Sequence, residues 1–100
     1  MHSLALANTT RMWRADLRLE LKAMTYEEGC LRVATLLVDL PRELYTMTTP
    51  RLLGMVYRFG RSRTVKALRV VGISEHRQLG NLTMRQLHEL AAWLTVQADA

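Results

Sequence analysis

Two four-residue signatures, TYEE at 25–28 and TMRQ at 83–86, fix the kind of structure this chain can form. In each, the threonine hydroxyl can accept from the backbone N–H three residues on, while the Glu or Gln side chain reaches back to the threonine N–H. Both therefore mark helix starts, and apolar residues follow each at helical spacing: Cys30, Val33, Ala34 and Leu37 after the first, Leu87, Leu90, Ala91 and Leu94 after the second. Upstream, Trp13, Leu17, Leu21 and Met24 draw a further helical stripe, with Thr9 or Thr10 as its expected cap. No alternating strand pattern appears anywhere, so the expected fold class is all-α, with about five short helices.

The remaining boundaries follow from proline and glycine. Pro41 disfavours helical geometry in Leu40, so the second helix should stop near Asp39, and PRELYTM should form a single helical turn or a loop. In TTPRLLGMVYRF, Pro50 follows a threonine cap at the first helical position, where its missing N–H costs nothing extra. A short third helix is expected there, ended by Gly60. A fourth should run from Ser62 to Val71, with Val65, Leu68 and Val71 inward and Gly72 closing it, before a loop over ISEHRQLGN. With 100 residues and 49% hydrophobic content the chain suits one domain, expected over residues 11–100 behind a flexible N-terminus at 1–10.

The formal charge of +5 is unevenly placed. Residues 1–50 hold six Lys/Arg and six Asp/Glu, whereas residues 51–100 hold eight and three, so the whole surplus lies in the second half. Twelve of the fourteen basic residues are arginine, whose planar fork suits phosphate. An anionic partner is implied, nucleic acid before a membrane surface. Cys30 is the sole cysteine, which excludes an intrachain disulfide and fits a reducing interior. The opening residues make a poor signal peptide, and no apolar run is long enough to span a membrane, so a cytoplasmic protein is expected.

Catalytic patterns are lacking. His2, His76 and His88 have no metal-ligand spacing with Cys30, which sits on an apolar helical stripe without a His or Asn/Asp partner. Glu27 and Glu28 are explained by the helix dipole at a first turn. No Gly-rich nucleotide loop is present. The expectation is a non-enzyme without cofactor, metal or small-molecule substrate.

One stretch stands out, YRFGRSRTVKALRVVGI at 57–73, in which Arg58, Arg61 and Arg63 surround Gly60 at a helix start. The first N–H groups of a helix have no partner within it, and with the positive end of the dipole they attract anions. Gly60 would let a phosphate approach, while Arg58, Arg61, Arg63 and Lys66 supply charge. The competing reading is a simple helix cap beside a solvated charged face. The basic edge of the first helix, Arg11, Arg14, Arg18 and Lys22, likewise reads either as a second backbone contact or as a face of Arg/Glu pairs.

The stretch PRLLGMVYRFGRSRTVKALRVVGISEHRQLGNLTMRQLHELAAWL resembles the helix-two-turns-helix module of the actinobacterial type of integration host factor, a module shared with a small-subunit ribosomal protein and some DNA repair glycosylases. The resemblance is carried by Arg58-Phe59-Gly60-Arg61-Ser62-Arg63, by Gly72-Ile73, by Arg77 with Leu79, and by Thr83, within a module at 49–96. WRADLRLELKAM is similar to that family's charged helix ahead of the module. Gln78 and Gly80 stand where the family commonly has arginines, and Tyr57 where proline is frequent. The resemblance implies a nucleoid protein that binds double-stranded DNA with little sequence preference and bends or organises it. By this resemblance Gly60, Arg61, Ser62 and Arg63 would hold a phosphate, supported by Lys66, with Arg77 reaching DNA from the loop; Arg58, and Arg14 and Arg18 on the first helix, are further candidate contacts from their charge alone. The alternatives are a structured-RNA binder, or a protein-interaction module that has lost most nucleic-acid affinity.

Overall fold

A computed structural model describes the backbone over residues 2–99 and side chains from Ala7 onward. Five α-helices form: α1 (His2–Lys22), α2 (Tyr26–Val38), α3 (Thr49–Leu53), α4 (Gly60–Val71) and α5 (Met84–Asp99). Single 3-10 turns cover Arg42–Leu44 and Leu79–Asn81. Among the described residues there is no strand; one isolated antiparallel bridge joins Thr48 and Gln78.

Both capping boxes form. The Thr25 N–H donates to Glu28 Oε1 at 2.9 Å and the Glu28 N–H to Thr25 Oγ1 at 3.2 Å. Thr83 and Gln86 repeat the exchange at 3.0 and 3.1 Å. Gln86 Nε2 also donates to the Gly72 carbonyl at 3.3 Å, tying the start of α5 to the end of α4. That end is a left-handed stop in which the Gly72 and Ile73 N–H groups both donate to the Leu68 carbonyl.

The expected stripes of α1, α2 and α5 face inward, with Leu17, Leu21, Cys30, Val33, Leu37, Leu90 and Leu94 buried. α2 packs along α5. Phe59 sits among them at 1% exposure, its ring 6.0 Å from that of Tyr26 and 6.1 Å, edge-on, from that of Trp93. Burying one such ring stabilises a fold by about 1.5–3 kcal/mol, and here it also pins the segment entering α4.

Three local expectations are corrected. α1 runs through Thr9 and Thr10 instead of starting there. α3 stops at Leu53, and two successive turns, closed by bonds such as Val56 N–H to Leu53 O and Phe59 N–H to Val56 O, lead to α4. Gly60 is thus the first residue of α4 and not the last of α3. Finally, α4 turns Thr64, Ala67 and Val71 inward, leaving Val65 42% exposed and Leu68 half-buried. The small Thr and Ala side chains let α4 lie close to its neighbours, an advantage that a count of large apolar residues does not register.

Candidate nucleic-acid interface

The entry to α4 is shaped by Phe59. Because its ring is buried, the residues either side must bend the chain, and both take left-handed backbone: Arg58 at φ 61° and Gly60 at φ 74°. A Cβ at Gly60 would meet nothing within 4 Å, so glycine is required there by its dihedral and not by crowding. No side chain caps the first N–H groups of α4, and Thr64 Oγ1 donates back to the Gly60 carbonyl at 3.0 Å.

The arginines around this turn divide into two kinds. Arg63 is occupied: its Nη1 donates to the Arg58 carbonyl at 2.9 Å and its guanidinium lies 4.8 Å from the centre of the Tyr26 ring. That bond holds the strained Arg58 carbonyl in place. Arg58 itself extends over the Tyr57 ring at 5.5 Å. Arg61, Ser62 and Lys66 are exposed and carry no hydrogen-bond or ion-pair partner among the described residues. Helical spacing sets Arg61 and Arg63 about 200° apart, so they do not converge on one point. Arg61 instead faces a hollow lined by Pro50, Gly54, Gly60, Thr64 and Glu75.

On the other side of α3 lies a larger cationic feature. Arg14 Nε donates to the Glu43 carbonyl at 2.7 Å and its Nη2 to Thr46 Oγ1 at 2.7 Å, clamping α1 to the loop ahead of α3. The clamp brings Arg51 of α3 beside α1. An open trough of about 650 Å³ results, lined by Arg11, Arg14, Arg18, Thr46 and Arg51. A second trough, which shares Arg18 and Arg51 with the first, is lined also by Lys22, Pro50, Gly54 and Arg58. Among the described residues, six cations line these two stretches and no carboxylate does. Burial first, and then the Arg51 charge, lower the Arg14 pKa from its ordinary value. Arginine nevertheless stays charged at any physiological pH, so the fold holds like charges together there.

The second trough shares Pro50 and Gly54 with the hollow under Arg61, so the basic band passes around α3 and reaches the start of α4. Arg14, Arg18, Arg58, Gly60 and Arg61 therefore border one connected surface. Arg77 does not border it. It lies in the loop after α4, where Nε donates to the Asn81 carbonyl at 3.1 Å beside Ser74, His76 and Gln78. That loop is docked by its backbone, with Leu79 N–H to Met47 O at 2.8 Å and Gly80 N–H to Tyr45 O at 2.9 Å. A Cβ on Gly80 would come within 2.9 Å of Tyr45 Cβ and 3.0 Å of its carbonyl oxygen. Glycine there is a consequence of this close backbone approach, which leaves no room for a larger residue at that position.

Arg51 is the functional candidate that sequence reasoning missed. It stands 33 residues beyond Arg18 in the chain, and the Arg14 bonds to Glu43 and Thr46 help to bring the two together. No group of three or more metal-ligating side chains exists among the described residues, and none of their helices is long and apolar enough to cross a membrane. Cys30 is fully buried, and that burial raises its thiol pKa. The chain matches no protein-family profile, no characterised protein and no solved structure.

Proposed function

We propose that the protein binds the phosphate backbone of double-stranded DNA without sequence preference, and bends or organises it in the manner of a nucleoid protein of the integration-host-factor type. The observation that carries this reading is the band of Arg11, Arg14, Arg18, Lys22, Arg51 and Arg58, with no carboxylate among its described lining residues, next to a hollow that holds Arg61 together with Glu75. Cations held together without anions gain on binding a polyanion, through direct attraction and through release of condensed counterions. The band is an open trough and no enclosed cavity, which suits a ridge of phosphates better than a small molecule. Two further features support the family type: the paired turns between α3 and α4, and the uncapped N-terminus of α4 behind Gly60.

The test is a titration of labelled 20-base-pair duplexes at several salt concentrations. If four to six phosphates are neutralised, log K should fall against log salt with a slope of about −3.6 to −5.4, and unrelated sequences should bind equally. Tighter binding of duplex RNA than of DNA at constant salt would reassign the band to RNA. No binding near physiological salt would refute the proposal.

A further inference from the structure

α1 carries apolar residues on two sides. Its inward stripe is answered on the opposite side by Met12, Ala15 and Leu19, all exposed, with Met12 at 68% and Leu19 at 66%. Large apolar side chains on both sides of a helix indicate two faces suited to burial, and only one is covered within the chain. The outer residues recur at spacings of 3 and 4, the pattern of a two-helix seam, and Ala5 stands one heptad before Met12 in the sequence.

We propose that this outer face of α1 pairs, in parallel, with the same face of a second copy of the chain. The flanks of the seam identify the occupant and its direction. With Met12 and Leu19 at the a positions and Asn8 and Ala15 at d, Arg11 and Arg18 fall at g and Asp16 at e. One border carries two arginines, and the other carries one acid, Asp16, beside Thr9 and Ala23. In a parallel pair each g residue faces the e residue of the partner's next heptad, so Arg11 of one copy meets Asp16 of the other, twice by symmetry. An antiparallel pair would set Arg11 and Arg18 against each other. Neither Arg11 nor Asp16 has an ion-pair partner among the described residues, whereas Glu20 is already engaged by Arg32 at 2.7 Å. Asn8 points the same way. Its amide both donates and accepts, so in a parallel pair it can bond its own counterpart, whereas the antiparallel register that overlaps the seam would set it against Leu19. Ala15 lets the two backbones approach, and Met12 adapts to the groove between them. The core of each copy packs on the Leu17 and Leu21 side of its own α1, opposite the seam, while Arg11, Ala15 and Arg18 on the seam's basic border also line the trough beside Thr46 and Arg51, so a paired copy and a bound polyanion would share that border.

The seam is short, since Lys22 occupies the next d position and ends it, and Asn8 lowers its stability while fixing its register. The dimer should therefore be weak, with a dissociation constant on the order of 100 µM. The pairing does not depend on nucleic-acid binding, and is read from the protein alone. Sedimentation velocity from about 5 µM to 1 mM should show a monomer–dimer equilibrium. Leu19→Glu, confirmed as folded by circular dichroism, should abolish the dimer, and Asp16→Arg should weaken it about tenfold or more. Combining Arg11→Asp with Asp16→Arg should restore it. Met12→Cys should form an interchain disulfide under mild oxidation, because position 12 faces its own counterpart only in the parallel arrangement, while the buried Cys30 stays out of reach. A monomer across the whole range overturns the proposal. So does a dimer indifferent to Leu19→Glu, no rescue by the charge exchange, or no disulfide from Met12→Cys in a chain that does dimerise.

Discussion

Removing Arg18 and Arg51 together tests whether the binding energy lies in the trough or in net charge alone. Both side chains are exposed, both line the trough, and neither has a partner within the chain among the described residues. Each phosphate neutralised contributes about 0.9 to the slope of log K against log salt, so the double Arg18→Ala, Arg51→Ala variant should lower the slope by about 1.8. Between 1 M and 0.1 M salt the same term amounts to about 1.8 log units, so at 0.1 M the loss should be roughly 60-fold, or about 2.5 kcal/mol. The control removes the same formal charge elsewhere. Arg32 pairs with Glu20 at 2.7 Å and Arg85 approaches Glu89 at 3.5 Å, both away from the trough. Arg32→Ala with Arg85→Ala should cost at most about 1 kcal/mol of stability through lost surface pairs, and change affinity less than about threefold. Fluorescence anisotropy with one duplex at five salt concentrations, beside urea denaturation of both variants, separates the two effects. Equal losses of affinity would mean that only overall charge attracts the DNA, and the trough would have no claim to be the site.

Gly60→Val should cost about 1–2 kcal/mol in urea denaturation, because only its dihedral and no neighbour opposes a side chain; Gly60→Asn should cost less, and equal costs would deny that the left-handed backbone matters. Gly80→Arg, which adds a second arginine to the loop that holds Arg77, should destabilise the protein by about 2 kcal/mol or more without raising DNA affinity, since the Cβ collides with the Tyr45 Cβ and carbonyl; a stable, tighter binder would refute the close-approach argument. Cys30 is buried with its pKa raised, so its contribution to stability is complete below the ordinary thiol range and is lost as pH climbs from about 8.5 toward the folded value. Stability measured from pH 7 to 10 should fall more steeply in the native chain than in Cys30→Ala, and identical slopes would count against it.

The helices were legible where side chains and backbone agree locally. The two capping boxes needed only residues three apart, and the stripes of α1, α2 and α5 are periodic in large apolar groups, so spacing alone oriented them. α4 was misoriented because its inward face uses Thr64 and Ala67, whose value lies in letting another element approach. The end of α3 was misplaced because Gly60 carries the mark of a helix stop, yet takes its positive φ at a helix start, where the burial of Phe59 forces the bend. Of the basic residues, those sharing one helix edge could be grouped from sequence. The link from α1 to Arg51 could not, since it depends on a side chain of α1 reaching a carbonyl 29 residues later.

That link suggests how the chain divides labour among arginines of one chemistry. Arg14 and Arg63 spend their donors on backbone carbonyls and a ring, at Glu43 and at Arg58 over Tyr26. Each fixes a piece of backbone that carries other cations: the loop before Arg51 in the first case, the turn before Arg61 in the second. A guanidinium can do this because its fork bonds carbonyls in a fixed geometry and never loses its charge, whereas lysine would offer a point charge on a flexible stem. Arg18, Arg51 and Arg61, which have no partner among the described residues, are then held on a frame that those bonds have already set. If the proposed DNA binding holds, such a frame would lower its ordering cost, and charge presented along an open trough would meet phosphates rather than base edges. Substituting Arg14 or Arg63 would therefore act on binding through the position of its neighbours, and substituting Arg18 or Arg51 would act through direct loss of attraction.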